Sequence, residues 1–191
     1  MNAINDMIFS TVSALESGGI ILYPTDTIWG IGCDATKGDA VEKIYSIKHR
    51  DHSKSMLILC ANLAMVERYV GRIEGAAKSL LLDSERPTTV ILPVEGEGLA
   101  DNLIASDGTI GVRVPRMDFC QRLLQSFGKP IVSTSANFSG STSPASFADI
   151  DSALAAAVDF VVPQKYELSE QTSSSRIVKM ASDGQIVVIR P

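Results

Sequence analysis

Apolar residues recur at helical spacing at Ile4, Met7, Ile8, Val12 and Leu15. This predicts an amphipathic helix, stopped by Gly18 and Gly19. Ile20, Ile21, Leu22 and Tyr23 then form a short continuous run, the pattern of a buried strand. Pro24 ends its ladder because it has no N–H to give. Val41, Ile44 and Tyr45 make the stripe of a second helix, with Asp39 placed to cap it. Residues 56–60 read as a strand. Leu63, Val66 and Val70 predict a short helix, and residues 76–82 another. Residues 88–92 read as a strand closed by Pro93, and residues 109–114 as a strand carrying Arg113. Phe119, Leu123, Leu124 and Phe127 predict a helix ending at Gly128. Ile131 and Val132 read as a short strand running into a polar stretch. Phe147, Ile150, Leu154 and Val158 share a helical face. Residues 160–162 make a strand ended by Pro163, and residues 164–175 a polar loop. Residues 176–180 and 185–189 pair around Ser182-Asp183-Gly184, a hairpin signal.

Helices and strands alternate along most of the chain, so the expected class is α/β (α+β). The final hairpin makes the sheet mixed. No repeat or Pro/Gly-rich linker divides the 191 residues, so residues 1–191 are expected to form a single domain. With 45% hydrophobic and 20% charged residues the chain has globular composition. No apolar run reaches membrane length. Residues 1–17 carry Asp6 and Glu16 and no Lys or Arg, unlike a signal peptide. The three cysteines are far apart and odd in number, which fits a reducing cytoplasm rather than a disulfide framework. A net charge of −5 argues against general nucleic-acid coating.

Chemistry concentrates in three places. After the first strand come Thr25, Asp26 and Thr27, then Trp29, Gly30 and Gly32. Hydroxyls, a carboxylate, an aromatic wall and glycines read as the rim of a pocket. The alternative is a β-arch whose Thr and Asp side chains only cap the backbone. Gly30-Ile-Gly32 is not a dinucleotide fingerprint, because the next helix starts only near Asp39. The second place is residues 43–54, with four Lys/Arg, one acid and both histidines of the chain. Lys48 and Arg50 can converge on one polyanion there. His49, Asp51 and His52 lack further ligands for a metal, so none is expected. The third place is Ser133-Thr-Ser135-Ala-Asn137, short hydrogen-bonding groups at a strand end, where open α/β sheets bind ligands. No G-x-S-x-G elbow surrounds these serines, so a hydrolase triad is not expected. Arg113, charged in an apolar strand, needs an anionic partner from the protein or a ligand.

Taken together, these motifs resemble the YrdC/TsaC family, the threonylcarbamoyl-AMP synthases. Four motifs carry the likeness in order: Tyr-Pro-Thr-Asp-Thr with Gly-Ile-Gly-Cys-Asp-Ala, Lys48-x-Arg50 with Ser135-x-Asn137, Gly-Val-Arg113-Val-Pro, and Ser-Thr-Ser-Ala-Asn-x-Ser-Gly. The resemblance spans essentially the whole chain. It implies a twisted mixed sheet flanked by helices around a large basic cavity. It implies a cytoplasmic nucleotidyltransferase that converts L-threonine, bicarbonate and ATP to threonylcarbamoyl-AMP and diphosphate. That product feeds tRNA modification through a separate transferase complex, with tRNA or double-stranded RNA as a further partner. Carried over to this sequence, Lys48 and Arg50 are catalytic and hold ATP phosphates. Thr25, Thr27, Arg113 and Ser133 bind L-threonine. Thr89, Ser135, Asn137 and Arg190 complete the ATP site. No metal ligand is implied in the protein, and Mg²⁺ is expected through the ATP phosphates.

The sequence departs from the family pattern at Asp51, at Lys54-Ser55-Met56, at Glu85-Arg86-Pro87 and at Ser173-Ser174-Ser175 before Arg176. A second function class is a noncatalytic RNA-binding or ribosome-associated paralogue of the same fold. The intact Lys-x-Arg and Ser-x-Asn pairs favour the synthase.

Overall fold

The computed structural model describes residues 3–82, 84–168, 173–180 and 185–191. Its strands are β1 (Ile21–Tyr23), β2 (Gly30–Gly32), β3 (Leu57–Leu59), β4 (Thr88–Pro93), β5 (Thr109–Arg113), β6 (Ile131–Ser135), β7 (Phe160–Val161), β8 (Arg176–Met180) and β9 (Ile186–Arg190). They form one sheet in the order β7-β1-β2-β6-β3-β5-β4-β8-β9. The pairs β1–β7, β3–β5 and β4–β8 are parallel and the other pairs antiparallel, so the expected mixed sheet is present.

Side chains on a strand alternate between faces, and the register carries that alternation across the sheet. Ile31, Ile58, Val90, Val112, Val132 and Val178 point to one side. There α2 (Gly38–Lys48), α3 (Leu63–Tyr69) and α4 (Gly75–Leu82) cover them with Val41, Ile44, Val66 and Leu81. On the opposite face Ile21, Tyr23, Leu59 and Ile131 meet α1 (Ala3–Glu16) and α5 (Asp118–Phe127) through Ile8, Leu15, Phe119 and Leu123. This second layer covers only part of its face. The remainder carries Gly30, Ser133, Ser135, Gly111, Arg113, Thr89 and Ile177, and it lines a cavity.

The sequence pattern and the structure differ at four points. Helix α2 begins at Gly38 with Lys37 before it and no side-chain cap. Asp39 sits in the first turn instead, where a carboxylate favours the helix dipole. Strand β6 runs on through Ser133 and Ser135, because β2 and β3 flank it on both sides and pair its backbone. Residues 147–158 are not one helix. Ser146 and Asp149 cap a 3-10 turn at Phe147–Asp149, and Asp151 accepts from Ala153 N at 2.8 Å to start α6 (Ser152–Ala156). Gly30 and Gly32 lie in a strand of their own rather than in a loop. The expected turn at Ser182-Asp183-Gly184 lies outside the described residues; its flanking strands β8 and β9 pair antiparallel.

Gly32 marks the tightest point of the sheet. A Cβ there would run into the Val132 carbonyl oxygen and lie 2.9 Å from the Tyr23 ring. At Gly111 a Cβ would meet Thr89 Cγ2 and Leu57 Cβ at 3.1 and 3.2 Å, with backbone no nearer than 3.8 Å. Overpacking typically costs about 1–3 kcal/mol. Gly32→Ala is expected to exceed roughly 3 kcal/mol, since backbone must move, and Gly111→Ala to stay within that range. Urea denaturation of the two variants checks the order.

Candidate active site

The cavity has a volume of about 240 Å³. Its floor is one face of β6, β3, β5, β4 and β8, and its rim is the β1–β2 connection. Thr25, Thr27, Arg50, Thr89, Arg113, Ser133, Ser135 and Arg190, all expected from the sequence, line it. Lys48 and Asn137 do not.

At the rim, Thr25 Oγ1 donates to the Ile28 carbonyl at 2.7 Å and accepts from Thr27 N at 3.2 Å. It also lies 2.9 Å from Thr27 Oγ1. Thr25 therefore shapes the turn as a backbone cap while its side chain faces the cavity, and the two expectations for this stretch hold together. Arg113 reaches across from β5. Its Nη1 donates to Thr27 Oγ1 at 2.9 Å, and its Nη2 lies 3.3 Å from Asp26 Oδ1. The protein thus supplies the carboxylate that a buried arginine needs. The supply is incomplete. Arg113 Nε and Asp26 Oδ1 make no aligned hydrogen bond with any described residue. A buried orphan donor is costly unless a ligand or water takes it.

Trp29 is among the residues that line the cavity, as expected, and its ring is anchored from the core side. It has no exposed surface, its ring packs on Phe147 at 4.9 Å, and its indole N–H donates to Glu167 Oε1 at 2.7 Å. The strand alternation that turns Gly30 to the cavity turns Trp29 and Ile31 to the core.

The basic segment after α2 divides its cations. His49 ends the helix in the left-handed region at φ 50°, the one non-glycine at positive φ among the described residues. That conformation costs about 1–2 kcal/mol without glycine. It turns the chain so that Arg50 N bonds back to the Tyr45 carbonyl at 3.0 Å. Arg50 then gives Nε to the Lys54 carbonyl at 2.8 Å and Nη2 to the Ser55 carbonyl at 2.9 Å. One edge of its fork is spent on closing its own loop, so a free bidentate grip on phosphate is not available from that edge. Burial holds its pKa below the usual arginine value.

Lys48 points the other way. It is buried, and its Nζ donates to the Ser135 carbonyl and, at 2.6 Å, to the Asn137 carbonyl. Lys48 O accepts from Ser139 N at 2.9 Å, and His49 stacks on Phe138. Asn137 gives Nδ2 to the carbonyls of Phe138 and Ser141 at 2.9 and 2.7 Å. The expected Lys-x-Arg and Ser-x-Asn pairs do meet. They meet as a brace between α2 and the segment after β6, with Arg50 and Ser135 facing the cavity.

Arg190 enters from β9 and gives Nε and Nη2 to the Ser175 carbonyl at 3.0 and 2.7 Å. Ser175 Oγ lies 2.8 Å from Thr89 Oγ1. Burial, then the Arg113 charge, lowers the Arg190 pKa. Sequence inspection missed Ser55, Ser143, Ser174, Met56, Ile91 and Ile177, which also line the cavity. The two-residue spacing Thr89–Ile91 and Ser175–Ile177 was the available signal. Among the described residues no group of three or more His, Cys, Asp or Glu is placed to hold a metal. No helix among them is long and apolar enough to cross a membrane.

A mixed α/β sheet with an arginine- and hydroxyl-lined cavity on one face defines the class. The chain belongs to the Sua5/YciO/YrdC family: the family model, described as Telomere recombination, matches residues 13–191. A protein of Photobacterium profundum named threonylcarbamoyl-AMP synthase is 35% identical over 138 residues, 71% of this chain and 74% of that protein. One of the same name from Pseudoalteromonas translucida is 31% identical over 182 residues, 94% and 95% of the two chains. The fold matches P. abyssi Sua5, solved in complex with L-threonine, with a TM-score of 0.86 at 22% identity. The match covers 100% of this chain and 55% of that one.

Lys48 generates a prediction about pH. Burial, then the Arg50 charge, lowers its pKa to about 7. A neutral amine still has two N–H groups, enough for both carbonyls. An unfolded lysine keeps its proton to about pH 10.4. Between those values the unfolded chain binds more protons, so this group makes stability rise with pH. The contribution is lost as pH falls through 7. Denaturant melts at pH 6.5 and 9 are expected to differ more for the wild type than for Lys48→Met.

Proposed function

We infer that the protein is an L-threonylcarbamoyladenylate synthase, a nucleotidyltransferase acting on L-threonine, bicarbonate and ATP. The observation that carries this is the cavity lining: three arginines, Arg50, Arg113 and Arg190, among Ser and Thr hydroxyls, with no carboxylate among the described lining residues. Such a surface suits a polyanion beside a small hydroxylated molecule. The named relatives supply the reaction.

In this reaction the threonine amine and bicarbonate condense to a carbamate with loss of water. A carbamate oxygen attacks the α-phosphorus, and the bond from that phosphorus to the bridging oxygen breaks as pyrophosphate leaves. ATP enters as its magnesium complex, the ion held by phosphates. Arg113 with Thr27 and Ser133 takes the threonine carboxylate or the carbamate. Arg50, Arg190, Thr89 and Ser135 face the nucleotide. Lys48 and Asn137 act from behind, by holding Ser135 in place. The protein's work is positioning and offset of charge that builds on the phosphoryl oxygens. Residues 1–191 act as one domain on the one sheet. Bicarbonate, tRNA and a downstream transferase complex belong to the same reading, as does a cytoplasmic location. The RNA-binding alternative is disfavoured by the cations' place, inside a cavity rather than along an exposed surface.

Three outcomes are expected. Pyrophosphate release from ATP should require both L-threonine and bicarbonate, and its absence with both present would remove the assignment. L-2-Aminobutyrate, which lacks the hydroxyl, should be a far poorer substrate, by up to about 10⁴-fold, as for a site that hydrogen-bonds a hydroxyl. Arg50→Ala should lower the rate roughly 10²–10³-fold. It should also cost about 1–3 kcal/mol of stability for its two carbonyl bonds. Melting and turnover measured on the same variant separate the two effects.

A further inference from the structure

The β1 residue Tyr23 is 1% exposed, and its hydroxyl makes no aligned hydrogen bond with any described residue. It is not a stranded core residue. Tyr23 pairs with Gly30 across the β1–β2 ladder, so its ring lies on the cavity side of the sheet. The ring passes over Gly32, where a Cβ would come within 2.9 Å of it. The absence of that side chain is what lets the phenol lie flat toward β6. The hydroxyl ends beside Ser133, with Arg113, Asp26 and Cys120 as its charged or titratable neighbours. Ser133 Oγ lines the cavity, and Tyr23 does not. Two further orphaned atoms, Arg113 Nε and Asp26 Oδ1, belong to these same neighbours. Three of the six buried unpartnered side-chain atoms among the described residues therefore belong to one cluster beside Ser133, at the edge of the cavity.

We propose that Tyr23 is a positioning residue that fixes which way the Ser133 hydroxyl donates. The phenol O–H donates to Ser133 Oγ, and Ser133 is left to donate its own proton into the cavity. There it adds a second donor beside Arg113 for one carboxylate-type oxygen. Burial raises the phenol pKa far above its ordinary value, so the group remains a donor at working pH. The proposal rests on the synthase reading for the identity of the carboxylate, which is that of L-threonine or its carbamate.

The test is a double-mutant cycle with wild type, Tyr23→Phe, Ser133→Ala and the double variant. The readouts are threonine-dependent pyrophosphate release and urea melts. Phenylalanine keeps the ring over Gly32 and removes only the hydroxyl. Tyr23→Phe is expected to raise the KM for L-threonine roughly 3–10-fold, the worth of one neutral hydrogen bond. The KM for ATP should be unchanged, and there should be no further effect in the Ser133→Ala background. If the two substitutions multiply independently, or Tyr23→Phe leaves the threonine KM at the wild-type value, the positioning role is overturned while the function stands. If the wild type releases no pyrophosphate but the melts show the two positions coupled, the function falls and the Tyr23–Ser133 link stands. If neither turnover nor coupling appears, both fall.

Discussion

Ile131, Ser133 and Ser135 of β6 face one side of the sheet, and Val132 faces the other. That two-residue alternation, passed along the ladder from β2 to β8, makes one sheet serve as core and as binding floor. One face carries the apolar Ile31, Ile58, Val90, Val112, Val132 and Val178 and is covered by three helices. The other is apolar where α1 and α5 lie on it, and where they do not it carries glycines, hydroxyls and Arg113 along with Leu57, Ile91 and Ile177. On β6 the change occurs within a single strand, between Ile131 and Ser133. The cavity is therefore not a gap in packing. It is the place where side chains stop filling the space above a continuous hydrogen-bonded surface.

Placing three guanidiniums over such a floor carries an electrostatic cost, seen in the lowered pKa values of Arg50 and Arg190. The fold offsets this cost mostly with backbone carbonyls rather than with carboxylates. Arg50 is held by the carbonyls of Lys54 and Ser55, and Arg190 by that of Ser175. Among the described residues only Arg113 of the three has an acid, Asp26, and that pairing leaves its Nε open. Carbonyls orient an arginine without cancelling its charge. The net field in the cavity stays positive although the whole chain is acidic.

Most of the architecture was legible in sequence because it rests on periodicity. The α1 stripe and the strands from β3 onward follow from apolar spacing and from Pro and Gly at their ends. The misses share a cause: tertiary pairing overrode local chemistry. Ser133 and Ser135 look like loop residues, yet flanking strands on both sides hold them extended. Lys48 two residues before Arg50 looks like a second phosphate ligand. At the end of a helix, however, a one-residue left-handed turn at His49 is enough to send the two cations to different sides of the same segment. The motifs singled out these residues, and only the backbone path shows which of them reach the cavity.

The departures from the family pattern bear on the same distinction. Ser55 and Ser175 stand at atypical positions, and each anchors a cavity arginine through its main-chain carbonyl. Arg86 likewise contributes its carbonyl, which accepts from Ser84 Oγ and Thr88 Oγ1 at 2.8 and 3.0 Å. Asp51 accepts from Ser53 N at 2.8 Å, a local turn contact. A carbonyl is supplied by every residue type. Replacing the side chain at these positions therefore leaves the arginines oriented as before. What changes is the lining, where Ser55 and Ser175 add short hydroxyls, and Ser175 Oγ reaches Thr89 at the nucleotide side of the proposed site. Such substitutions change the hydroxyls of the cavity lining while leaving its arginines in place.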